Sequence, residues 1–344
     1  MTQQPEHDLS PIKRIRRFVI GPPRDVSDPQ IFRHVSLIAL LAWVGLGADG
    51  LSSSAYGPEE AYRTLGVHAH LSIIIVAMTI VTIAVISIAY SNLIQHFPGG
   101  GGGYLVATKL LGNRVGVVSG SALLVDYVLT ITVSIASGCD QLWSSFPLQW
   151  LPYKLPTEFV VLAALIVLNL RGVKESVSFL MPIFIAFLMA HVFLIGYTIL
   201  SNFGRLPTVF HDAGTDFHEA TQTLGWVPLL LLILRAYSMG GGTYTGIEAV
   251  SNGVTILREP RVRTGKRTMA LMATSLAFTA GGIMFGYLLT NSHPVEGKTM
   301  NSVLLANLFG GWRWGGIPVG QRRGEGHGSR SPLSWSRRLA ATQF

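Results

Sequence analysis

From about residue 34 to residue 290 the chain alternates long uncharged apolar runs with short polar clusters. Runs of this length without a polar face predict helices that cross a membrane. Seven stretches fit, at 34–56, 71–95, 115–138, 159–170, 176–200, 225–250 and 268–290. The fourth would cover only about 18 Å of a hydrocarbon core about 30 Å thick. It spans as 151–170, with the Trp150 to Pro156 segment extending it. The seven apolar runs hold four formal charges: Asp49, Asp126, Arg235 and Glu248.

Composition points the same way. Charged residues make up 13% of the 344 and apolar residues 49%, against about 25% charged in an ordinary soluble domain. The net charge of +8 comes from basic clusters between the apolar runs, so nucleic acid is a poor partner. Cys139 is the single cysteine, which excludes an intramolecular disulfide and any CxxC redox or metal site. The first apolar run follows a polar leader, residues 1–32, with Lys13, Arg14, Arg16 and Arg17, which argues against a cleavable signal peptide. Residues 33–310 form the expected transmembrane core and 311–344 an Arg/Gly/Ser-rich tail.

Loop charges orient the spans. Lys13 to Arg17, Lys109 with Arg114, Arg171 with Lys174, and the cluster Arg258, Arg261, Arg263, Lys266 and Arg267 fall on one side if the spans alternate. The other side has single basic residues, Arg63, Lys154, Arg205 and Lys298. The positive-inside rule then makes the N-terminus cytoplasmic and the protein a multi-pass protein of the plasma (inner) membrane. No Walker lysine follows Gly99 to Gly103, and Ser52, Ser53 and Ser54 form no nucleophile elbow, so no enzyme is expected. His211, Asp212, Asp216, His218 and Glu219 lie between Asn202 and Thr223; a solvated acidic loop explains them better than a divalent metal site.

Two spans carry clustered glycines: Gly45, Gly47 and Gly50 in the first, Gly240, Gly241, Gly242 and Gly246 in the sixth. Each glycine costs a helix about 1 kcal/mol relative to alanine, and unwound backbone in a bilayer must face protein or a watery cavity. Two interrupted spans five positions apart mark a LeuT-like transporter of inverted five-helix repeats with its site between the breaks. Close helix packing is the alternative use for such glycines. Asp49, Asp126 and Glu248 accompany the breaks, and one salt bridge to Arg235 would still leave two carboxylates, a surplus that suits a cation. Asp126, Thr130 and Ser134, four residues apart, share one helix face and offer a ladder of oxygen ligands.

The segment Gly47-Ala48-Asp49-Gly50 through Tyr56 to Glu60 resembles the first-helix signature of the amino acid–polyamine–organocation superfamily, and within it the KimA-type and KUP-type potassium importers. Leu234 to Tyr237, followed by Thr245 to Gly253, is similar to their sixth-helix signature, Asp126-Tyr127 with Thr130 and Ser134 to their third-helix ion-site stretch, and Pro98 to Tyr104 to the glycine-rich loop of the inner gate. The resemblance implies an all-α polytopic membrane protein, an inverted-repeat transporter with helices 1 and 6 broken. It further implies that Asp49, Tyr56, Asp126, Tyr127, Thr130, Ser134, Thr245 and Glu248 supply oxygen ligands or proton-coupling groups for a monovalent cation, with Gly47, Gly50, Gly241, Gly242 and Arg235 in gating or structural roles. K⁺ and H⁺ would be transported ions with no cofactor, and the partners a potassium ion or small-molecule substrate, the lipid bilayer and, in a homodimer, a second copy. An amino acid permease of the same superfamily is the alternative function, and a membrane remnant without transport a third.

Only two spans of a second five-helix repeat precede Gln321, beyond which Arg322, Arg323, Arg330, Arg337 and Arg338 stand among Gly and Ser. The expectation is a core incomplete after the seventh helix with a frame-shifted tail, the alternative a short regulator with a basic lipid-facing tail. The topology is checked by cysteine labelling from outside in a Cys139→Ala background: probes at 205–220 should react and probes at 258–267 should not, and the reverse pattern would refute the orientation.

Overall fold

The computed structural model describes residues 36–310 apart from 172, together with 313–314 and 317–318. The leader 1–32 and the rest of the tail 311–344 lie outside the described residues. The apolar runs form helices: α1 Ala39–Ser53, α2 Gly57–Leu65, α3 Ser72–His96, α4 Gly102–Leu111, α5 Asn113–Trp143, α6 Lys154–Arg171, α7 Val173–Ser201, α8 Leu206–Leu224, α9 Trp226–Met239, α10 Ala249–Asn252, α11 Arg261–Leu289 and α12 Met300–Phe309. Short 3-10 turns, including Gly66–Leu71, Leu148–Tyr153 and Gly240–Tyr244, join several of them. One compact unit ends at Leu304. The second, from Leu305, contains an antiparallel pairing of Arg313–Trp314 with Ile317–Pro318.

Among the described residues, five segments are long and apolar enough to cross a membrane: Ala39–His96, Asn113–Trp143, Gln149–Leu170, Ser176–Ser201 and Arg261–Leu289. The first doubles back, as its contacts with α11 reveal. The Thr268 hydroxyl donates to Ala39 O at 3.3 Å, Trp43 Nε1 to Ser275 Oγ at 3.2 Å, and the Tyr62 hydroxyl to Ser292 O at 3.0 Å, so α1 and α2 run parallel to α11. Gly265 instead lies against Ile94, and Gly281 against Ile80 and Val76, so α3 runs the opposite way. The centre of this bundle is dry: Met272, Leu276, Ile283 and Tyr287 of α11 are buried, and the Trp43 ring meets Phe184 of α7 edge-on at 5.0 Å. Large apolar side chains on α5 and α6, among them Leu124, Val128, Phe159 and Val160, point outward. Such faces are stable against lipid, not against water.

Polar contacts gather at the two ends. At one, Leu37 N donates to Ile256 O and Arg258 N to Leu37 O, each at 2.9 Å, and Lys266 Nζ reaches Gln95 Oε1 at 2.6 Å. At the other, Arg205 donates to Leu289 O at 2.7 Å, Arg63 to Lys298 O at 2.8 Å, and Gln141 Nε2 to Ser302 Oγ at 3.1 Å. The basic cluster of 258–267 and the segment around Arg205 therefore lie at opposite ends.

Two expectations need correction. The segment read as a solvated acidic loop is the helix α8, begun by Pro207 in its first turn, with Val209 and Ala220 buried. Its Asp216 carboxylate pairs with His68 Nδ1 at 2.6 Å. The first glycine cluster does not unwind: Gly47 and Gly50 sit inside the regular helix α1. Broken backbone in an apolar layer loses several kcal/mol per unsatisfied group, which outweighs about 1 kcal/mol of glycine propensity. These glycines serve close packing instead, Gly45 against Val177 and Gly47 against Trp43 and Met272. The interruption comes at 54–56, ahead of Pro58 in the first turn of α2. Proline lacks a donor and is tolerated only in the first turn of a helix, so Pro58 starts α2 and cannot continue α1.

The interrupted turn keeps its carbonyls paired through neighbours. Ser54 Oγ donates to Leu51 O at 2.6 Å, and Asn301 Nδ2 donates to Ala55 O at 2.7 Å while its Oδ1 accepts from the Tyr287 hydroxyl at 2.6 Å. Replacing Asn301 by Ala strands Ala55 O and should cost about 1 to 3 kcal/mol, measured as a lower thermal unfolding midpoint in detergent.

Candidate functional site

The sixth stretch is irregular over a longer distance than the first. α9 ends at Met239, the 3-10 turn Gly240–Tyr244 follows, residues 245–248 form turns, and α10 is a single turn of helix. Thr245 is extended with ψ of 148°, and Gly246 takes a φ of +84°, a conformation that favours glycine. The irregular segment packs on the first interruption. A Cβ on Gly57 would stand 2.1 Å from Thr243 Oγ1, one on Gly242 would stand 3.0 Å from the Tyr56 ring, and one on Gly246 would lie 2.9 Å from both Asp49 Oδ2 and Gly50 N.

Around this contact lies a chain of oxygens. Ser53 Oγ donates to Asp49 O at 3.1 Å and stands 3.1 Å from Thr245 Oγ1 and 3.2 Å from the Tyr56 hydroxyl. Thr245 Oγ1 donates to Gly242 O at 2.8 Å. Ser52 Oγ donates to Asp49 O at 2.7 Å and meets Ser134 Oγ of α5 at 3.3 Å. On the same helix Thr130 is buried, whereas Val128 and Leu129 are exposed, so the face with Thr130 and Ser134 turns toward α1. Tyr127 accepts a hydrogen bond from Asn252 Nδ2 at 2.7 Å.

The carboxyls of Asp49, Asp126 and Glu248 are half-buried and close enough to feel one another's charge. Glu248 Oε1 is buried and makes no hydrogen bond among the described residues. Arg235, expected to pair with one of the acids, is exposed on α9, and no ion pair joins it to an acid among the described residues. Among the described residues, no ion pair therefore joins any of the three carboxyls to a basic side chain.

The structure brings Asp49, Tyr56, Ser134, Thr245 and Gly242 directly together, with Asp126 and Glu248 within electrostatic reach. Gly241 has no neighbour that a Cβ would meet, so close packing does not explain it. Ser52 and Ser53 belong to the cluster although the sequence reading set them aside. Their signal was spacing: three and four residues after Asp49, they lie above it on one helix face.

Residues 36–319 match a family model described as an amino acid permease. The chain belongs to this permease family. It is also 32% identical over 305 residues to the potassium transporter KimA of Bacillus subtilis (strain 168), an alignment covering 86% of this chain and 48% of that protein. The chain thus spans about half the length of that relative. As a member of that family with several segments long and apolar enough to cross a membrane among the described residues, it is a multi-pass membrane protein.

Gly246→Ala places a Cβ in contact with Asp49 and Gly50 N at a positive φ. The variant should lower the unfolding midpoint and weaken any ligand-induced stabilisation more than Gly241→Ala, where space is open. Both are read by thermal unfolding with and without K⁺.

Proposed function

We propose that this permease carries a monovalent cation, K⁺, bound between the two interrupted segments and coupled to protons, in the plasma membrane with the N-terminus cytoplasmic. The single observation that carries the reading is the set of three carboxyls without a cationic partner among the described residues, set beside a chain of hydroxyl and carbonyl oxygens. A large, weakly hydrated cation exchanges its water for such oxygens at modest cost. Buried carboxylates in a bilayer are expensive unless paired, protonated or wetted. The name of the KimA relative supports potassium, and the orientation rests on the basic clusters of 109–114 and 258–267.

In this reading Asp49, Tyr56, Thr130, Ser134 and Thr245 offer oxygen to the ion, with Ser52 and Ser53 beside them. Asp126 and Glu248 balance its charge or take up a proton. An amino acid substrate is the second reading, and the family description favours it. Against it stands the Asp49 carboxylate by Gly246 and Gly50 N, where a substrate carboxylate would look for free backbone N–H groups.

The test is ligand-dependent stability of the purified chain together with ion uptake. K⁺ should raise the unfolding midpoint, neutral amino acids should not, and Asp49→Asn or Asp126→Asn should abolish the shift and sharply reduce uptake at near-normal expression. If both Asn variants respond to K⁺ like the parent, the assignment of the cavity is wrong.

A further inference from the structure

Glu248 closes the irregular part of the sixth stretch, and α10 carries the chain one turn further, Asn252 N donating to Glu248 O at 3.0 Å. Asn252 thus stands about 6 Å from Glu248 along the axis, toward the end that holds Arg258 to Arg267. Across from it on α5, Tyr127 directly follows Asp126. Asn252 and Tyr127 thus meet on the side of the carboxyl cluster that faces that end, joined by a hydrogen bond of 2.7 Å.

The glycine-rich loop covers the same spot. Gly101 N donates to Asn252 O at 3.4 Å. Gly100, Gly101 and Gly102 have φ of +78°, +88° and +48°. A Cβ on Gly100 would come within 3.1 Å of Asn252 O, and one on Gly102 would collide with Asn252 Oδ1 at 1.8 Å. The loop needs glycine here because it is pressed onto one asparagine.

We propose that Asn252 is a latch: its amide N–H holds Tyr127, its backbone carbonyl and side chain seat the loop at 100–102, and together they shut the route from the carboxyl cluster at this end. The role rests on the reading that the cluster is the cargo site. Asn252 Oδ1 is buried and accepts no hydrogen bond among the described residues. An oxygen left so gains a partner when water enters, so the closed arrangement is held and also releasable. Asn252 is a positioning residue that acts through Tyr127 and the loop.

The test reads access instead of flux. In the Cys139→Ala chain, Thr130→Cys serves as a buried reporter, and a membrane-impermeant cationic thiol reagent is applied to each face of sealed vesicles in turn. A separate Lys109→Cys chain marks the face of the glycine loop. Asn252→Ala and Tyr127→Phe should each speed reporter labelling from that face roughly three- to tenfold, the effect of one hydrogen bond lost from the closed state. The double variant should be no faster than the faster single one. Gly102→Ala should also accelerate labelling, as a wedge against Oδ1. Unfolding midpoints identify a variant that fails to fold; Tyr127→Phe removes one hydroxyl and decides the matter if Asn252→Ala fails. Unchanged labelling in folded variants, multiplying effects in the double variant, or acceleration from both faces alike would overturn the latch. Failure of K⁺ to bind would overturn the cation reading and leave the labelling result standing.

Discussion

Backbone without a regular hydrogen-bond partner is hardest to keep where no water can reach it, and this fold is arranged around two such stretches. Each missing helical bond must be replaced locally, because lipid offers neither donors nor acceptors. At the first stretch the replacements are Ser52 and Ser53 on Asp49 O, Ser54 on Leu51 O and Asn301 on Ala55 O. At the second, Gly242 O accepts from Thr245 N and Glu248 O from Ser251 N and Asn252 N, and the hydroxyls of Thr245 and Ser251 add to them. Serine and threonine suit the task because a short hydroxyl reaches back to the preceding turn of its own chain. The two stretches then lean on each other through glycines, where a single methyl group would force them apart.

That mutual support explains why the carboxyls stand where they do. Asp49 sits one turn before the first interruption, with its carboxyl against Gly246, and Glu248 stands at the end of the second. Asp126 comes from an intact helix and completes the set from the side. A charged side chain costs about 2.5 to 3.5 kcal/mol at the middle of a spanning helix on the insertion scale. Three near one another without a counter-charge would add mutual repulsion.

The apolar runs were legible because a helix in lipid needs nothing but length and the absence of charge; each of the seven stretches contains helix, unbroken in the sixth only as far as Met239, and five segments among the described residues have spanning length. The acids were legible for the same reason: a charge in an apolar run stands out. The sequence misled where one residue type serves two purposes. Gly45, Gly47 and Gly50 carry the same letter whether they loosen a helix or let another approach it, and only Val177, Trp43 and Met272 reveal which. Pro58 was the better marker, since its ring forbids what glycine merely disfavours. Arg235 failed as a partner because helix phase, invisible in a list of charges, turns it outward. The 206–224 segment was read by its charges alone, and its buried Val209 and Ala220 face was overlooked.

The strand-like bridge of Leu37 with Leu257, made by main-chain bonds to Ile256 O and from Arg258 N, has a mechanical meaning. Two main-chain bonds tie the start of the first interrupted span to the exit of the sixth, and main-chain bonds are indifferent to which side chains occupy the positions. The two spans are therefore yoked at one end and meet again at their irregular middles, where Gly246 lies against Asp49. Those hydrogen bonds set the separation of the two spans at that end whatever side chains stand there, so the approach of Asp49 to Gly246 is fixed from a second point along the pair.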